Sequence, residues 1–307
     1  MPKKLSSGSK IAIVAPAGRI YQHELDFALN WIEQNNWKAE FSDELFREYN
    51  FGYFYAGQDE HRLKLVQDAL NRNDIEAIWF ARGGYGSVRL IDQLDFSTFI
   101  KNPKWLIGYS DVTVFHNFLN NQNIPTIHGV TAKKLQADYT EETYNSLKSI
   151  LLGEKIKYEF PVSEMDIKGK AFGKLVGGNL SMIYSQLGSS SNLLGENLIL
   201  FIEDWNENWY HLDRMLMALK RSGLFNRVKA LIVGSFTQMD TREDNPNFEN
   251  DFDGISNQII ESFVDKLNIP VMFHFPAGHI GDNRALIFGC EVNFEVNDEV
   301  VRLEWIK

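Results

Sequence analysis

Three strand-like apolar runs, in "KIAIVAPAG" (10–18), "IEAIWFARGGYG" (75–86) and "KWLIGYSD" (104–111), constrain this chain more than any other feature. Each is too short for a core helix, and none alternates apolar with polar as a strand with one wet face does. Such runs read as strands covered on both faces. A fourth strand, "IPTIHG" (124–129), follows. Between the strands lie segments with helical spacing. "ELDFALNWIEQNNW" puts Leu25, Leu29 and Ile32 on one face, and "EHRLKLVQDALNRN" does the same with Leu63, Val66 and Leu70. "SVRLIDQL" (87–94) and "VTVFHNFLNNQ" (112–122) read as two further helices. Strand and helix in this alternation fold into an open parallel sheet with helices on both faces.

The pattern changes over residues 151–172, a charged, strand-like stretch with no helical period. We read it as a linker between an N-terminal α/β domain (1–150) and a smaller, strand-rich α/β domain (173–307). The second region offers "KLVGGNLSMIYSQLG", the apolar strand "LILFIED", a helix from "HLDRMLMAL", the strand "VKALIVGSF", and two closing strands. The acidic, Asn-rich segment 240–254 reads as an exposed loop. The net charge of -10, with basic residues in runs of at most two, excludes a nucleic-acid binder. No stretch nears the roughly 18 apolar residues of a membrane span, and the N-terminus lacks a signal-peptide apolar region. A cytoplasmic protein is expected. The single cysteine, Cys290, excludes an internal disulfide framework and a multi-cysteine zinc site. Its setting, "ALIFGCEV", suits a buried packing residue.

Three of the strands end in small or polar turns: "APAG", "ARGGYG" and "IGYSD". Ligands of open parallel sheets bind at the carboxyl ends of the strands, which puts Ser110 of "IGYSD" on the chemical edge. Its strand–Gly–x–Ser–x–helix setting matches a nucleophile elbow, except that Val112 stands where a second glycine is usual. A plain helix cap is the bland alternative. Asp111 can serve as that cap, which frees the serine hydroxyl. In "ARGGYG", Gly84-x-Gly86 resembles a dinucleotide turn, but Arg89 holds the third glycine position and no P-loop lysine follows. Either a tight turn at positive φ or a nest of backbone N–H groups for an oxyanion fits.

A serine nucleophile needs a base, and the base an orienting acid. Among seven histidines, His128 at a strand end and His279 in "PAGHIGDN" are the contenders. Glu203 and Asp204 end a strongly apolar strand, so a buried carboxylate there must find a partner. A salt bridge to Arg214 is the structural alternative. A metal site from Glu203, Asp204 and His211 lacks ligand spacing.

Taken in order, "IAIVAPAG", "ARGGYGSVRL", "LIGYSDVT", "IHG", "KLVGGNLS", "LFIEDWNE", "HLDRML" and "AGHIGDN" resemble the LD-carboxypeptidase family of serine peptidases nearly end to end. The resemblance implies Ser110 as nucleophile, Glu203 as acid and His279 as base, at the interface of two domains. It implies backbone N–H groups of Asp111 and Gly84 as the oxyanion hole. Arg82, Tyr85 and Asn179 are the candidate substrate-binding residues. The implied activity is cleavage of an L-to-D peptide bond, releasing the terminal D-Ala of murein tetrapeptides in cytoplasmic recycling. An immunity peptidase acting on a peptidyl-nucleotide antibiotic is the alternative within the class. A non-catalytic nucleotide- or sugar-binding module is the alternative outside it. A small peptide substrate, no cofactor, no metal, no nucleic-acid or membrane partner, and a homodimer are expected.

Overall fold

The computed structural model describes residues 1–134, 139–240 and 250–306. In the first half, β1 (Lys10–Val14), β2 (Lys38–Glu40), β5 (Ala77–Phe80), β6 (Trp105–Gly108) and β7 (Thr126–His128) form a parallel sheet. A short hairpin, β3 (Tyr49–Asn50) and β4 (Phe54–Tyr55), lies beyond it. Period-2 geometry divides the continuous apolar runs between two cores. Ile11, Ile13, Ala77, Trp79, Trp105 and Ile107 face one way, with α1 (Asp26–Gln34) and α5 (Glu141–Leu152). Ala12, Val14, Ile78, Phe80 and Leu106 face the other, against α2 (Asp59–Asn71), α3 (Ser97–Lys101) and α4 (Thr113–Asn121). Both faces are covered, as the runs demanded.

The segment 87–94 departs from expectation. It forms two 3-10 turns, Ser87–Arg89 and Ile91–Gln93, rather than a helix. Eight residues are too few for a helix to hold by propensity alone. The two turns still bury Leu90, Ile91 and Leu94.

The second sheet runs β12-β11-β10-β9-β14-β15-β8. Its members are β8 (Lys157–Pro161), β9 (Gly169–Asn179), β10 (Leu198–Trp205), β11 (Val228–Thr237), β12 (Val271–Met272), β14 (Glu291–Val296) and β15 (Val300–Trp305). The stretch 151–172 therefore supplies an edge strand and the start of β9. On the outer face pack α6 (Leu180–Ser185), α7 (Trp209–Arg221) and α8 (Gly254–Val264). The inner face shares one continuous core with the first sheet, where Ile127, Phe201, Phe275 and Phe288 meet. The two halves also interlock: β13 (Leu286–Phe288) pairs antiparallel with β7 and becomes the edge of the first sheet. Of the segment 240–254, residues 241–249 lie outside the described residues. Among the described residues no helix is long and apolar enough to cross a membrane.

Candidate active site

Ser110 stands at the carboxyl end of β6 with φ +63°, a left-handed conformation uncommon for serine. Such a residue on a strand-to-helix turn has its side chain lifted off the sheet edge. The "RGGYG" turn lies against it. A Cβ placed on Gly83 would sit 3.3 Å from Ser110 Oγ, so the turn's backbone approaches the hydroxyl closely. Asp111 does not cap its own helix. Its buried carboxylate reaches across and accepts the Ser87 N–H at 2.9 Å.

Alternation along β10 separates the two acids. Ile199, Phe201 and Glu203 point into the core shared by the sheets, while Leu200, Ile202 and Asp204 point to the helices outside. Glu203 is 0% exposed, and its Oε2 accepts from His279 Nδ1 at 2.7 Å. A donated Nδ1–H leaves Nε2 with the lone pair, the form a general base needs. Arg214, the alternative partner for the acid, instead lies over the Tyr210 ring. Asp204 accepts from Asn179 Nδ2 (2.8 Å), Ser181 N (2.9 Å) and Trp205 N (2.9 Å). Burial first, and then the neighbouring Glu203 charge, raise its carboxyl well above the usual range. His211 hydrogen-bonds Glu207 at 2.6 Å, so Glu203, Asp204 and His211 each have a different partner and do not converge.

His279 is held on every side. Its N–H donates to Ser235 Oγ at 3.0 Å, its ring packs on Tyr109 with centroids 4.8 Å apart, and Trp205 stacks on it at 5.7 Å. Tyr109 immediately precedes Ser110, so the ring belongs to the same corner as the serine. Gly278, at φ +124°, is required here: a Cβ would fall 2.3 Å from Ser235 Oγ and 2.9 Å from Glu203 Oε2. His128, the other contender for the base, is fully buried between Phe201 and Phe288, and burial holds it neutral, well below its ordinary value. His274 lies beyond the end of β12 at φ +60°.

The candidate substrate residues divide. Arg82 is half-buried, donates to Arg19 O at 2.7 Å, and forms no ion pair among the described residues. Tyr85 is 44% exposed and packs edgewise on Tyr53. Asn179 is buried: its Oδ1 caps α6 at Met182 N (3.1 Å) while its Nδ2 serves Asp204. Two neighbours were not legible in the sequence. Tyr53 comes from the β3–β4 hairpin and places its hydroxyl where a Cβ on Gly84 would be, 2.0 Å away. Arg62, fully buried in α2, donates to the carbonyls of Pro16, Gly57 and Gly86 and so ties together the loops under the site. Its position on a charged helix carried no sign of burial. Cys290 is partly buried, and burial pushes its thiol up to about 11.

A strained serine turn at the end of one sheet, and a histidine bonded to a buried glutamate of the other, sit in a two-sheet α/β fold of the hydrolase class. The chain belongs to the LD-carboxypeptidase family. Residues 11–129 match the LD-carboxypeptidase N-terminal domain and residues 172–294 the C-terminal domain. It is 30% identical over 311 residues to a probable murein peptide carboxypeptidase of Bacillus subtilis, covering 99% of this chain and 94% of that one. It is likewise 30% identical over 306 residues to the murein tetrapeptide carboxypeptidase of Pseudomonas aeruginosa, covering 96% and 95%. The crystal structure of muramoyltetrapeptide carboxypeptidase from Oxalobacter formigenes superposes with a TM-score of 0.85 at 25% identity, covering 97% of this chain and 99% of that one.

Proposed function

We propose that this protein is a serine LD-carboxypeptidase that releases the terminal D-Ala from murein tetrapeptides in cytoplasmic cell-wall recycling. The buried Glu203–His279 hydrogen bond carries the reading, because it leaves His279 Nε2 as a free base in the same corner as the Ser110 turn. His279 Nε2 takes the Ser110 proton as Oγ attacks the carbonyl of the L-residue. The Glu203 carboxylate stabilises the imidazolium that forms. Backbone N–H groups of Asp111 and Gly84 receive the oxyanion. His279 then protonates the departing D-amino acid, and water, activated by the same histidine, hydrolyses the acyl-enzyme.

A carboxypeptidase also has to recognise a free carboxylate. Arg82 is the cation for it: beside the "GGYG" turn, half-buried, and in no ion pair among the described residues. Tyr85 offers an exposed ring next to it. The test is D-Ala release from murein tetrapeptide, followed by mass spectrometry with a peptidyl-nucleotide conjugate in parallel. Cleavage of the tetrapeptide that disappears in Ser110→Ala is expected. Exclusive cleavage of the conjugate assigns the immunity activity instead. Tight nucleotide binding with no cleavage of either refutes a peptidase.

A further inference from the structure

Asp111 has a side chain that the mechanism above does not use. It directly follows the nucleophile, is 1% exposed, and would be expected in such a place to be an uncharged residue. Instead its Oδ2 accepts the N–H of Ser87, the first residue after the "RGGYG" turn. The same point is gripped from the opposite side. Arg62, itself fully buried, donates to Gly86 O at 3.3 Å and also to Pro16 O. Gly86 is at φ +145°, and a Cβ there would lie 2.6 Å from Arg62 Nη1. At its other end the turn is fixed by Gly18 N donating to Gly83 O at 3.1 Å. The exposed middle, Gly84 and Tyr85, is thus suspended between two anchors. One of those anchors is attached to the residue next to Ser110.

We infer that the Asp111 carboxylate is a positioning strut: by holding the 86–87 peptide it fixes the "RGGYG" turn relative to the serine, and with it the oxyanion donor opposite Asp111's own N–H. This rests on the serine-peptidase reading above. One residue then sets both halves of the anion site, one through its backbone and one through its side chain. Preorganised donors act only when their spacing is held before charge develops. A charged acceptor holds a backbone N–H more tightly than a neutral one.

The strut therefore has a protonation state that matters. Burial pushes the Asp111 carboxyl up to about 6, against the pull of the Ser87 and Gly86 groups and of Arg62. The titratable groups bearing on it are Arg62 from α2 and the Tyr53 phenol from the β3–β4 hairpin. Arg89, beyond the turn, is paired with Asp59. Thr113, two residues on, meets Asn179 N and Gly178 of β9, and none of these side chains titrates.

The strut predicts that the Asp111 carboxyl must be deprotonated for full activity. In the wild type, kcat for D-Ala release should lose a component as pH falls through about 6. Asp111→Asn keeps the shape and lowers kcat at pH 8 by about 10- to 100-fold, with KM within about threefold. That acid-side component should be missing from the variant's profile. A merely structural role would lower the folded fraction without removing that component, so thermal melting is recorded alongside. Acid-side profiles of the same shape in wild type and Asp111→Asn overturn the inference. So does an Asp111→Asn enzyme with wild-type kcat. Ser110→Ala is the control: if it still releases D-Ala, the peptidase reading falls and takes the strut with it.

Discussion

Replacing Glu203 by glutamine isolates the one interaction on which the proposed chemistry depends. The carboxylate is fully buried and its Oε2 meets His279 Nδ1 at 2.7 Å; Oε1 has no hydrogen-bond partner among the described residues. The ring is oriented by its neighbours Tyr109 and Trp205 as well, but the charge that would stabilise the imidazolium comes through this one bond. An amide of the same size keeps the packing but removes the charge. A buried hydrogen bond to a charged group is worth about 1.5–3 kcal/mol, and an uncompensated cation in the transition state adds to that loss. A total of about 3–5 kcal/mol corresponds to about 10²- to 10⁴-fold in kcat. The assay is initial-rate D-Ala release from murein tetrapeptide at several substrate concentrations. KM should stay within about threefold, because the carboxylate lies behind the histidine. Combining Glu203→Gln with Ser110→Ala should add almost nothing to the serine variant, since groups acting as one unit are not additive. Near-full kcat in Glu203→Gln, with Asp204→Asn inactive, would refute the reasoning, because the strand alternation that assigns the two acids would then be inverted.

Asp204→Asn should instead lower stability by about 2–4 kcal/mol in urea with kcat little changed, since Asp204 holds the start of α6 through Ser181 and Asn179. Gly278→Ala should fold but lose at least about 100-fold in kcat, because its Cβ collides with Ser235 and Glu203; wild-type kinetics would show that the loop gives way freely. For Asp111 the folded carboxyl stands at about 6 against an ordinary 3.8, so the folded state binds this proton more tightly than the unfolded chain. Its stabilisation is full below the unfolded value and is lost as pH rises through about 6, by about 3 kcal/mol in all. Denaturant midpoints against pH should therefore lose that fall in Asp111→Asn, and an unchanged curve would contradict it. D-Ala release should survive EDTA, as Glu203, Asp204 and His211 are each committed to a different partner. Loss on chelation, restored by zinc, would assign a ligand role to this cluster.

The first sheet was legible because its strands advertise themselves. "IAIVA", "AIWF" and "WLIG" have no polar face, and the structure covers them on both sides. The same completeness hides the next level of detail. In "LILFIED" every residue before the acids is apolar, so nothing in the run says which of Glu203 and Asp204 faces inward; that had to come from the resemblance. Local signals also overstated the helix at 87–94, where a plausible apolar spacing was satisfied by two 3-10 turns. The capping role of Asn179 was missed for a related reason. Its Oδ1 follows ordinary N-cap chemistry toward Met182, but two glycines stand just before it and no apolar spacing leads into the cap.

Long-range pairing is where sequence reading stops. Arg62, Tyr53 and Ser235 reach the site from a helix, a hairpin and a strand that share no motif with it, and each is fixed by tertiary contacts alone. The placement of Ser110 relative to His279 is of the same kind. The serine rides on β6, and the histidine on a loop that leads directly into β13, which returns to pair with β7 at the edge of the first sheet. Leu286 pairs there with His128, and Phe288 with Thr126, so the loop bearing His279 is tied to the sheet bearing Ser110. The tilted and edge-on rings of Phe201, Phe288 and His128 pack together behind that seam. A site assembled from two halves needs a seam that cannot slide, and a strand lent by one half to the other supplies it. His279 accordingly stands just before β13, and its hydrogen-bond partner Glu203 lies on the inner face of the second sheet.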